Sequence, residues 1–209
     1  MYQLSKNRCL RRTSQKGVTL LELMIVVALL SIILAIGVPS FNDQIEKGEL
    51  KGLAEQLSAH ITLVRSEAIT RSLATYINFS TGADWIYGLS TRSNCNVNAL
   101  TAAAANACTL VFEDGDDDRD PGDGSVDVDD LVLNRYDSTE HMGNSLAISN
   151  FSSGNSQIWF DPVRGISDSG EIIVTSTPSN YQLKVKVGLL GDVRICSPNG
   201  DLNFSSANC

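Results

Sequence analysis

From Val18 to Val38 the chain reads VTLLELMIVVALLSIILAIGV, 21 residues in which Glu22 is the single charge. At the helical rise such a run spans about 30 Å, the thickness of a hydrocarbon core. From Phe41 onward the pattern becomes amphipathic: Phe41, Ile45, Leu53, Leu57, Ile61, Val64 and Ala68 recur at threes, fours and one eight. That spacing predicts a helix with an apolar stripe that needs covering. Pro39, with Gly37 nearby, predicts a kink at residues 37–40 rather than an end to the helix.

Beyond Ser72 the period changes. Short β-rich segments occur at Ala74 to Phe79, Trp85 to Leu89, Thr109 to Phe112, Leu131 to Tyr136, Leu146 to Ser149, Gln157 to Phe160, Glu171 to Thr175, Tyr181 to Val187 and Val193 to Cys196. Gly, Asn, Asp, Ser and Pro separate them, as turns require. One long helix followed only by strands predicts an α+β fold, a long N-terminal α-helix packed on an antiparallel β-sheet head. The expected organisation is a leader at 1–17, a transmembrane half of the helix at 18–38, an amphipathic half at 39–72 and a β-rich head at 73–209.

Charge adds a direction to this plan. The whole chain carries −8, yet residues 1–17 hold Lys6, Arg8, Arg11, Arg12 and Lys16 and no acid, so everything after Gly17 carries −13. A basic start before an apolar run keeps the start in the cytoplasm and places the remainder of the chain outside it. A cleavable secretory signal does not explain the run, because its apolar region would be shorter and would end in small residues at a cut site, whereas Pro39, Ser40 and Phe41 stand here. A plain membrane anchor would gain nothing from Glu22, since a carboxylate in an apolar segment is costly and calls for a partner.

Five cysteines occur, Cys9 in the leader and Cys95, Cys108, Cys196 and Cys209 after it. An even number in an exported domain points to two disulfides. Among three pairings, Cys95 with Cys108 and Cys196 with Cys209 is favoured because both loops then have the same length. Each loop of about 14 residues would contribute about 3 kcal/mol by loop entropy.

Lys16-Gly17, then Val18-Thr19-Leu20-Leu21-Glu22-Leu23, then an apolar helix with Pro39, resembles the N-terminus of type IV pilins and type II secretion pseudopilins. The resemblance implies a cut between Gly17 and Val18 by the prepilin peptidase, N-methylation of Val18, an assembly role for Glu22 as the fifth mature residue, and a helix kink at Pro39 as the twenty-second. Val18 stands where phenylalanine is usual in that family. Independently of it, a carboxylate one turn into a helix favours the positive N-terminal end. In an apolar filament core Glu22 would neutralise the Val18 ammonium of a neighbouring subunit, or of its own chain, because an unpaired carboxylate is penalised there.

The helix end Leu63-Val64-Arg65-Ser66-Glu67-Ala68-Ile69-Thr70-Arg71, Trp85 with Gly88, Ile158-Trp159-Phe160 followed by Gly165, and a last strand near Gly191 to Cys196 are similar to the GspH/FimT group of minor pilins and pseudopilins. This implies a structural subunit that starts, caps or connects a filament. Its partners would be other minor pilins and the major pilin, the prepilin peptidase and the inner membrane. The implied location is the inner membrane, single-pass with a periplasmic head, then a pilus or pseudopilus. A C-terminal disulfide-bounded loop is typical of pilins and favours a type IV pilus; a type II secretion pseudopilin shares every other motif.

Some members of the group bind DNA through C-terminal basic residues. Here Gly191-Asp192-Val193-Arg194 carries Asp192 where those members have a second Arg, and an acidic chain repels nucleic acid despite Lys184 and Lys186. Nucleic acid is therefore not expected as a partner. Residues 113–130 hold ten carboxylates against Arg119. This is either a solvated loop or a calcium site using Asp114, Asp116, Asp118, Asp120 and Asp123. An EF-hand register fails, with Arg119 at its sixth position and Ser125 at its twelfth. His60 and His141 are the only histidines, and no phosphate loop, nucleophile motif or His/Cys metal spacing accompanies them. No enzymatic activity and no cofactor other than calcium are expected, and Glu67 with Arg71 should form a surface helix pair.

Overall fold

The structure, a computed structural model, describes residues 17–111, 131–152, 154, 156–177, 179–200, 202, 204 and 209, without the side chains of 36–40, 111 and 131. The chain divides into two units, Met1–Asp43 and Gln44–Cys209. Helix α1 runs Leu20–Arg71, and its helical assignment continues through Pro39.

In the first unit Thr19 stops the chain from fraying at the helix start. Its Oγ1 accepts from Glu22 N–H at 3.2 Å, and its carbonyl accepts from Leu23 N–H at 3.1 Å. This is the N-cap arrangement, with an acid in the first turn. Every described apolar side chain from Val18 to Ala35 is exposed. Among the described residues no helix is long and apolar enough to cross a membrane. The run read from the sequence continues to Val38, past the last described side chain at Ala35.

In the second unit the stripe Leu50, Leu53, Ala54, Leu57, Ile61, Val64 and Ala68 is fully buried. The amphipathic stripe was expected to begin at Phe41, but Phe41 is 67% and Ile45 50% exposed. Burial starts only where sheet residues supply the other half of a core, since periodicity marks an apolar face but not its cover. Helix α1 ends with Ser72 at φ 54°, a left-handed cap from which Leu73 N–H reaches Ala68 O. The Thr75 hydroxyl then donates to Val64 O at 2.9 Å, tying the next strand to the helix.

Among the described residues ten strands follow: β1 Thr75–Ser80, β2 Ile86–Ser90, β3 Thr109–Val111, β4 Leu131–Leu133, β5 Arg135–Asp137, β6 Asn144–Ser149, β7 Gln157–Phe160, β8 Gly170–Ser176, β9 Gln182–Val187 and β10 Val193–Cys196. They form two four-stranded sheets, ordered β5-β2-β1-β7 and β10-β9-β8-β6, and the small sheet β3-β4, with all pairs antiparallel. The α+β class expected from the pattern is the one observed.

Strand alternation explains which face is buried. In β9, Leu183, Val185 and Val187 point into the core while Gln182, Lys184 and Lys186 lie outside it. Ile172 and Val174 of β8, Ile77 and Phe79 of β1, and Ile158 and Phe160 of β7 join them and the α1 stripe in one cluster. The single strand expected at Leu131 to Tyr136 is two. Asn134 breaks it, accepting from Leu89 N–H and donating its own N–H to Cys108 O, so β4 pairs with β3 and β5 with β2. Its side-chain amide closes on Val132 O at 2.8 Å, a local bond that competes with a continuous ladder.

Candidate functional site

The residues read as functional fall into separate places. Gly17, Val18 and Glu22 lie at the exposed start of the first unit, where nothing stands within 4 Å of a Cβ built on Gly17. The backbone there is open to an enzyme, and the acid sits three residues after the cap. Sequence reading missed Thr19, although Thr-x-x-Glu before an apolar run is the capping-box pattern. Pro39 lies inside α1, and its side chain is among those not described.

The four cysteines after the leader are joined as Cys95–Cys108 and Cys196–Cys209, each with a sequence separation of 13. The first pins the segment from β2 to β3 onto the outer face of the β1–β2 sheet, with Cys95, Val97, Cys108 and Ile86 forming a small apolar cluster. The Arg135 guanidinium braces it by donating to Val97 O at 3.0 Å while pairing with Asp137. Asp137 is held below the usual carboxylate range by its bonds from Thr139 and then from Arg135. Asp114, Asp116, Asp118, Asp120 and Asp123 lie outside the described residues, as do residues 1–16 of the leader.

Three motif fragments that are far apart in sequence meet around Arg65. Its Nε donates to Gly165 O at 3.0 Å. Gly165 adopts φ +61° against Ile69, and a Cβ on Gly191 would come within 2.6 Å of Arg65 Nε and 2.8 Å of Gly165 O. The glycines are needed because a helix side chain passes directly over both turns. Glu67 and Arg71, one turn on, form the expected pair, with Nε to Oε2 at 2.6 Å.

His60 is half-buried against the sheet. Its Nδ1 lies 2.9 Å from the Tyr87 hydroxyl, and its ring packs on Tyr136 with centroids 4.1 Å apart. Burial lowers its pKa, partly opposed by Glu140, and burial raises those of Tyr87 and Tyr136. The neutral imidazole is thus the folded form, so between the lowered folded pKa and the unfolded value near 6.5 only the unfolded chain binds this proton. Stability is expected to fall as the pH drops below about 6.5. Melting temperatures of wild type and His60→Gln between neutral and mildly acid pH check this, with a shallower decline expected in the variant. His141 bridges to α1 instead, its Nδ1 3.1 Å from Glu49 and its Nε2 3.2 Å from Gln56.

On the outer face of the β10-β9-β8-β6 sheet the cations have anionic neighbours. Lys184 pairs with Glu171 at 3.2 Å, and Arg194 pairs with Asp192, the acid that departs from the DNA-binding pattern, also at 3.2 Å. Sequence reading missed a further carboxylate, Glu46, which accepts from the Ser176 hydroxyl and from Ser179 N–H at 3.0 Å, fixing the turn after β8 against α1. No local pattern marks that pairing, because its two ends are 130 residues apart.

A family model described as type II transport protein GspH matches residues 53–191, more than half of the chain, and a prokaryotic N-terminal methylation motif matches residues 12–38. The type IV major fimbrial protein FimA of Dichelobacter nodosus is 31% identical over 112 residues, 50% of this chain and 70% of that protein. The type IV major alpha-pilin of Moraxella bovis is 43% identical over 51 residues, 24% of this chain and 32% of its own length. Among solved structures, the type IV minor pilin FimU of Pseudomonas aeruginosa aligns over 72% of this chain and 90% of its own, with TM-score 0.46 and 14% identity.

Proposed function

Since the chain belongs to the GspH family and is a type IV pilin-like protein, we propose that it is a structural minor pilin of a type IV pilus, taking part in starting, capping or connecting the filament. The observation that carries this reading is an N-terminus with two parts. Gly17 and Val18 are open, and the aliphatic start of α1, with one acid in its first turn, is exposed along every described side chain to Ala35. Such a surface is stable only under cover, first by lipid and then by the helices of other subunits.

In this reading the prepilin peptidase cuts between Gly17 and Val18, the run at 18–38 holds the precursor in the inner membrane, and Val18 is methylated. Removing the leader frees an amine that Glu22 neutralises, within a subunit or across two. The Gln44–Cys209 head supplies contacts to other pilins and catalyses nothing. DNA is not proposed as a ligand, because the C-terminal cations already face carboxylates.

The relation to a type IV fimbrial protein and the closed Cys196–Cys209 loop favour a pilus. The family model, whose description names type II transport, favours the second reading, a minor pseudopilin. Deleting the gene separates them: loss of surface pili with intact secretion is the expected result. Intact pili with failed secretion would transfer the chain to the second role.

A further inference from the structure

Strand β10 runs into the turn Ser197-Pro198-Asn199-Gly200, closed by Gly200 N–H donating to Ser197 O at 3.3 Å. Proline at the second position and glycine at the fourth suit a tight turn. Asn199 and Gly200 are both exposed, and Gly200 stands at φ +73° with nothing within 4 Å of a Cβ built on it. The closing bond is longer than the usual N–H···O separation of about 2.9 to 3.0 Å, so the Gly200 nitrogen is weakly held. Among the described residues the Asn199 side-chain amide has no hydrogen-bond partner.

This pair is singular in the chain. Asn199 is the one asparagine followed directly by glycine, and every other precedes a residue that carries a side chain. The difference is chemical, because a following side chain obstructs the approach of the next backbone nitrogen to the asparagine amide, and glycine has none. Several other asparagines are also engaged. Asn144 is buried in β6, the Asn134 amide is closed on Val132 O, and the Asn150 amide donates to Glu171.

We propose that Asn199-Gly200 is a site of spontaneous modification, at which the asparagine closes on the glycine nitrogen and is converted to aspartate and isoaspartate. The Gly200 nitrogen gives its proton to solvent base and attacks the side-chain carbonyl carbon of Asn199. A ring C–N bond forms, the bond to the amide nitrogen breaks, and that nitrogen leaves as ammonia. Water then adds to one of the two ring carbonyls and opens the succinimide. Addition at the side-chain carbonyl gives aspartate, and addition at the main-chain carbonyl gives isoaspartate. Water is the only co-reactant, and nothing is oxidised or reduced.

Either product adds a negative charge to the turn. In the isoaspartyl form the main chain passes through the former side chain and gains one carbon between β10 and Leu202. Cys196–Cys209 fixes both ends of this stretch, so the extra length stays within it. Leu202 and Phe204, which follow the turn, pack on the core, and Lys51 of α1 lies over the Phe204 ring at 5.7 Å. The modification therefore acts on the segment that joins the last strand to the helix, and the proposal does not depend on the filament reading.

The test uses the full chain in detergent micelles, incubated in mildly alkaline heavy-oxygen water beside the same chain unfolded in guanidinium. Peptide mapping by mass spectrometry should find ammonia lost and one labelled oxygen gained at residue 199, in two products that separate chromatographically. A surface turn opens at little cost, so the folded-chain rate should lie within about tenfold of the unfolded one. Asn144 should stay unmodified in the folded chain. Asn199→Gln, which needs a larger ring, should lose the label with an unchanged melting temperature, since the side chain it replaces is exposed and unpartnered among the described residues. A folded-chain rate more than about tenfold below the unfolded one, no label at residue 199, or equal labelling of other asparagines would overturn the proposal.

Discussion

Glu22→Ala is expected to reduce incorporation into filaments by about tenfold or more, because in the proposed assembly it removes one partner of an ion pair in a low-dielectric core and leaves the other charge uncompensated. Leader cleavage and the melting temperature of the head should be unaffected. Glu22 is exposed, in a unit separate from the buried core, and its backbone N–H is the group that caps on Thr19. Glu22→Gln keeps the shape and should fail almost as badly, which separates charge from packing. Immunoblots of sheared filaments against whole cells measure incorporation. Normal incorporation of both variants would remove Glu22 from the assembly mechanism.

Gly88→Ala should be strongly destabilising to the head. A Cβ at this β2 position would lie 2.5 Å from both Cβ and Sγ of Cys108 and 3.3 Å from Asn134 O. Gly88 is also paired on both sides, with Asn78 of β1 and Arg135 of β5, so the strand cannot easily retreat. Forcing an extra methyl into such packing costs about 3 kcal/mol. In a protein of this size that lowers the melting temperature by about 10 °C.

Reductant provides an internal check. It should destabilise Gly88→Ala less than wild type, because opening Cys95–Cys108 lets the overlying segment move away, a coupling expected of residues in contact. Gly48→Ala is the control. Nothing lies within 4 Å of its added Cβ, and in mid-helix it should stabilise by about 0.5 to 1 kcal/mol. Equal effects of the two substitutions in thermal melts would mean that the disulfide loop does not rest on Gly88.

The motif at Gly17, Val18 and Glu22 was legible because its parts are adjacent and its chemistry is local: an open glycine and one acid in an apolar run. The α+β class was legible too, since a stripe at three and four and a strict alternation such as Gln182-Leu183-Lys184-Val185-Lys186-Val187 are periods that only a helix and a strand satisfy. Thr19 could have been read as a cap from the same few residues. Phe41 and Ile45 show the limit of periodicity, which identifies an apolar face without saying whether anything covers it.

Partnership over long separations was decided only by the tertiary structure. Leu131 to Tyr136 reads as one strand, yet Asn134 divides it between two sheets because its backbone meets Cys108 and Leu89 at once. Gly88 is a motif letter in the sequence, and why it must be glycine emerges only when Cys108 is laid over it. Arg65, Gly165 and Gly191 are dispersed motif letters in the sequence and one clamp in the fold. Sequence by itself determined the local conformations and the chemistry of the N-terminus, since those depend on neighbours within a turn or two. Which side chains meet, and which apolar ones remain uncovered, depends on contacts between segments a hundred residues apart, and packing of the whole head decides them.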